Sequence, residues 1–74
     1  MLGLIEILTL MQAGNLLTQN DLGWHVNGED VDPGRAFWLF ENGFVEHSPP
    51  PEDYETYRLT DKGKSTDPKE IMFV

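Results

Sequence analysis

The stretch from residue 32 to residue 47 carries its own punctuation, and it constrains the fold more than any other part of the chain. Asp32 has a side chain suited to a helix N-cap, and Pro33 suits the first helical position because its missing N–H is not needed there. Ala36, Leu39 and Phe40 then recur on one apolar face. Asn42-Gly43 closes the helix, since glycine takes the left-handed conformation at low cost. Phe44-Val45-Glu46-His47 reads as a strand. Ser48-Pro49-Pro50-Pro51-Glu52-Asp53 is a stiff polar connector that cannot pair within a sheet. Tyr54 to Leu59 alternates and is rich in β-forming residues, so it reads as the returning strand of a hairpin.

Two helices are expected ahead of this unit. Leu4, Ile5, Leu8 and Met11 recur at helical spacing, with Ile7 and Leu10 widening the stripe, which predicts a helix from Leu2 to Ala13 stopped by Gly14. Thr18 heads a shorter helix over Gln19 to Val26. Its hydroxyl is spaced to accept from the Asp21 amide in a variant capping box, Leu17 and Leu22 occupy the staple positions, and Asn27-Gly28 ends the turn. The expected core is Leu4, Leu8, Leu22, Leu39, Phe40, Val45 and Leu59, and Trp24 is also expected inside. The fold class that follows is α+β: a winged helix, with three helices followed by a two-stranded β-hairpin wing. At 74 residues there is room for one domain, 1–74, with its core in about residues 4–63 and a short apolar-ended tail over 64–74. Ile71-Met72-Phe73-Val74 is expected to cover the domain's own core, because a chain this short needs the apolar area.

The phrase Leu39-Phe40-Glu41-Asn42-Gly43-Phe44-Val45-Glu46, taken with Tyr57-Arg58-Leu59-Thr60-Asp61-Lys62-Gly63, resembles the end of a winged-helix recognition helix and its wing in bacterial regulators of the MarR and PadR type. The resemblance spans roughly residues 4–63. It implies the winged-helix fold but not one function, because winged helices serve both DNA and protein partners. Two departures stand out. Pro33 to Glu41 holds one base and three aromatics, where such regulators carry several basic or small polar residues. The tail is short and broken by Pro68, where many of them continue into dimerisation helices.

Charge bears on the choice. Thirteen acids face five bases, for a net charge of −8, and residues 1–34 contain no Lys or Arg at all. Such a chain repels phosphate at long range and attracts basic partners. The expected function is an acidic, non-enzymatic interaction module that binds a basic or nucleic-acid-binding protein, in the manner of a small phage-type inhibitor or DNA mimic. Glu29, Asp30, Asp32 and Glu41 would steer that partner, while Trp38 and Phe37 would supply apolar contact. The alternative is a small DNA-binding transcription regulator, dimeric through its first helix or its tail. Its third helix would enter the major groove with Arg35, and Arg58, Lys62 and Lys64 would reach phosphates of double-stranded DNA.

Other chemistries find little footing. The absence of cysteine removes disulfides and thiolate metal sites, and fits a reducing, cytoplasmic setting. His25 and His47 have no partner at metal-ligand spacing, and the acidic clusters lack the alternating ligands of a calcium loop. No Gly-rich phosphate loop or nucleophile elbow is present, so no catalytic residue, metal or cofactor is expected. Met1 to Met11 lacks a basic leading region, is interrupted by Glu6, and is shorter than the roughly 20 residues a membrane span needs.

Overall fold

The computed structural model describes residues 2–48 and 55–71, with the Glu55 side chain excepted. The expected connector over 49–53, Tyr54 and the terminal Met72-Phe73-Val74 lie outside the described residues. In chain order the elements are α1 (Leu4–Gln12), β1 (Leu17–Asn20), β2 (Gly23–Val26), β3 (Glu29–Val31), α2 (Pro33–Glu41), β4 (Val45–His47), β5 (Glu55–Leu59) and α3 (Asp61–Ser65), then a 3-10 turn at Pro68–Glu70. The strands form one antiparallel sheet in the order β3-β2-β1-β5-β4.

This corrects the expected winged helix of three helices and a two-stranded wing. No helix covers residues 19–26, so α2 is not the second helix of a helix-turn-helix. The expected second helix is instead the β1–β2 hairpin, and the reason is alternation. Leu17, Trp24 and Val26 share one sheet face by register, since Leu17 pairs with Val26 and Gln19 with Trp24. Asn27 and Gly28 both have positive φ, 52° and 77°, which joins β2 to β3 by the type of two-residue turn that matches strand twist. Asn20 turns the other corner, where its side-chain oxygen accepts from the Leu22 N–H at 2.8 Å. Thr18 caps nothing; its hydroxyl donates to the His25 carbonyl across the hairpin at 3.2 Å.

The segment that follows folds as its punctuation suggests. The Asp32 carboxylate accepts from the Arg35 N–H at 3.2 Å, Pro33 opens α2, and Gly43 ends it at φ 78°. Val45 pairs with Leu59, Glu46 with Arg58 and His47 with Tyr57. α2 therefore runs from one edge strand of the sheet, β3, to the other, β4.

Both long helices pack on the same sheet face. α1 contributes Leu4, Ile7, Leu8 and Met11, and α2 contributes Ala36 and Leu39, to one core with Leu17, Trp24, Val26, Val31, Val45, Tyr57 and Leu59. Two expected core residues are excluded from it: Leu22 is 84% exposed and Phe40 41%. The opposite face carries Thr18, His25, Asp30, Glu46 and Arg58, the usual division of an antiparallel sheet with one packed side. Ile71 is buried in the core, and the turn before it packs on α1. Gln12 clasps the start of the tail by donating to the carbonyls of Gly63 at 3.0 Å and Thr66 at 2.8 Å.

Candidate interaction surface

α2 has more apolar surface than one core face can absorb. Ala36 and Leu39 point inward, while Phe37 and Phe40 stand three residues apart on a neighbouring side, where they remain 50% and 41% exposed. They rest on rings supplied by the sheet. Phe37 meets Trp24 edge-on at 5.6 Å, Trp24 lies 5.0 Å from Tyr57, and Tyr57 lies 4.5 Å from His47. Phe40 closes the row, 5.4 Å from His47 and 5.9 Å from Tyr57. Edge-to-face packing of this kind adds about 0.5–1.5 kcal/mol per pair beyond area burial, which favours these orientations of the two outer rings. Leu22 stands two residues before Trp24, at the tip of the β1–β2 turn and almost wholly in water. Three large apolar side chains are thus exposed around the end of the sheet where Trp24 lies.

The expected partner-binding residues do not form one surface. Phe37 belongs to the aromatic row. Trp38 does not: it is partly buried and stacks on Phe44 at 5.6 Å, with ring planes 12° apart. Glu41 is exposed at the end of α2. Asp32 is occupied as a helix cap. Glu29 and Asp30 are exposed on the edge strand β3, and alternation sends them to opposite faces. Asp30 sits on the open face, its Oδ1 3.0 Å from His25 Nε2. Phe40 and Leu22 are the functional candidates that spacing alone misses. The signal for Phe40 is that Phe37, Trp38 and Phe40 cannot all reach one core from a nine-residue helix.

The residues of the DNA alternative are also divided. Arg35 lies in the first turn of α2. Arg58, Lys62 and Lys64 line a groove beside Gly43, just past the other end of that helix, so about 12 Å of helix axis separates the two groups. Arg58 Nε is bound to Glu46 at 3.1 Å. Lys62 Nζ donates to the Asn42 carbonyl at 2.7 Å and lies 4.6 Å over the Phe44 ring.

On the open face, register aligns Ser48, Thr56, Thr18, His25 and Asp30 in one cross-strand row. The hydroxyls of Ser48 and Thr56 are buried and have no hydrogen-bond partner among the described residues. Thr18, the hydroxyl next to His25, is engaged with that residue's carbonyl, so the row shows an Asp–His pair without a poised nucleophile. Among the described residues no group of three or more His, Asp or Glu could hold a metal ion, and no helix is long and apolar enough to cross a membrane.

No family model, curated protein or solved structure matches the chain, and nothing in these comparisons identifies a winged-helix domain.

Proposed function

We propose that this chain is an acidic, non-enzymatic protein-interaction module that docks its partner on the aromatic side of α2 and the sheet end beneath it. The observation that carries the reading is the exposure of Phe37 and Phe40 over a buried ring cluster. A 74-residue chain has little apolar area to spare, and two half-exposed phenylalanines packed on buried rings have the form of interface anchors. Leu22 extends the same end of the molecule. The charge of −8 favours a basic partner, such as a nucleic-acid-binding protein, and would speed its approach. A cytoplasmic setting fits a chain without cysteine. Reading of DNA has less support, because Arg35 stands apart from the other three bases and two of those three are bound within the chain.

The test is co-purification from the source cell with the wild-type chain, a Leu22→Ser variant and a Phe37→Ser/Phe40→Ser variant. Circular dichroism reports whether each variant is folded. A basic protein retained by the wild type and lost from both folded variants supports the reading. Equal retention by all three overturns it.

A further inference from the structure

An open groove lies away from the aromatic side. It runs between the C-terminal end of α1, the end of β5 and α3, and has a volume of about 930 Å³. Its apolar lining includes Met11, Leu16 and Leu59, of which Leu16 is 44% exposed. Among the described residues its cations are Arg58, Lys62 and Lys64, three of the chain's five, set against two acids, Glu46 and Asp61. Elsewhere on the chain acids far outnumber bases, so this groove inverts the local sign of charge.

We propose that the groove docks a short acidic peptide segment of a partner protein, with an apolar side chain on Leu16 and its carboxylates toward Lys64 and Arg58. The Lys64 ammonium makes no ion pair or side-chain hydrogen bond among the described residues. Arg58 and Glu46 form a half-exposed pair, 52% and 48%, of the kind worth little in water, so a second carboxylate can share the guanidinium at low cost. The volume lies within the usual range of ligand sites and far exceeds one inorganic anion. A nucleic acid strand fits the lining poorly. Among the described residues no aromatic side chain lines the groove to stack on a base, and three cations, two of them engaged, neutralise few phosphates. This inference does not depend on the aromatic surface; it concerns a second site.

The experiment is an amide NMR titration of the full chain with a capped peptide of alternating Glu and Leu, and with its Gln–Leu counterpart, at low and physiological salt. Shifts confined to residues 11–16 and 58–64, produced by the acidic peptide alone, support the proposal. Lys64→Gln should weaken that binding about three- to fivefold while leaving the remaining amide spectrum unchanged. Absence of shifts at millimolar peptide overturns it. So does an unchanged affinity in Lys64→Gln, or a single-stranded oligonucleotide that shifts the same amides more strongly. Concentration-dependent shifts at these amides without peptide would assign the groove to a second copy of the chain, and would also overturn it.

Discussion

Gly63 sits so close to the Phe44 carbonyl that a Cβ built on it would lie 2.2 Å from that oxygen. The same hypothetical atom would be 2.9 Å from a Leu59 methyl. Backbone, not a flexible side-chain tip, fills the space. The short helix α3 is thereby seated directly on the junction between α2 and β4. Gly63→Ala is expected to cost about 1–3 kcal/mol, the range of overpacked sites, read as a lower urea midpoint. A loss below about 0.5 kcal/mol would show that α3 lifts off freely.

Leu22 and Leu39 should respond oppositely to truncation. Leu39 is fully buried, and Leu39→Ala is expected to cost about 2–5 kcal/mol. Leu22→Ser should change stability by no more than about 0.5 kcal/mol, because the side chain is already in water. Equal losses would place Leu22 in a core and would contradict the β1–β2 hairpin.

The turn at Asn27-Gly28 requires positive φ at both positions. Gly28→Val places a β-branched side chain where left-handed backbone costs about 1–2 kcal/mol, so stability should fall by roughly that amount. Thermal unfolding followed by circular dichroism measures it. An unchanged midpoint would mean that β2 and β3 are not joined as described.

Asp32 has a cap to lose. Asp32→Ala removes the acceptor for the Arg35 N–H and should cost about 0.5–2 kcal/mol in urea unfolding. Asp32→Asn keeps an acceptor and should recover most of that loss. If Asn fails to restore stability, the carboxylate acts through charge and not through the cap.

Double-stranded DNA should bind weakly or not at all at physiological salt. Arg35 is separated from Arg58, Lys62 and Lys64, and the chain as a whole carries −8. Fluorescence titration of labelled DNA checks this. Submicromolar binding that Arg35→Ala abolishes would promote the regulator reading over the interaction module.

Much of α2 and of the β4–β5 hairpin was legible in the sequence because Asp32, Pro33 and Gly43 act locally; each sets the backbone at or beside its own position. Residues 17–31 were not, because their signals serve two structures. Thr18 and Asp21 have capping-box spacing, and Asn-Gly ends helices as readily as it turns hairpins. The deciding contacts are distant in sequence: Leu17 pairs with Tyr57 and Thr18 with Thr56. The alternation of Trp24, His25 and Val26 was the local clue. The candidate surface was half legible for a related reason. Phe37 is exposed as its helical position suggests, but the stack of Trp38 on Phe44 and the outward placement of Phe40 depend on where β4 and β5 lie.

Because α2 carries the chain from one edge of the sheet to the other, β5 meets β1 through a long-range pairing in the middle of the sheet. The first three strands are an uninterrupted meander closed by two tight turns, and the hairpin is a second locally closed piece. The seam between them joins positions about 40 residues apart, and its loop-closure entropy is met before any of its contacts form. By contact order, the seam is expected to be the last part of the sheet to form. In a chain cleaved in the α2–β4 turn, the two fragments would be held by that strand pairing together with the contacts of α1 with α3 and the tail.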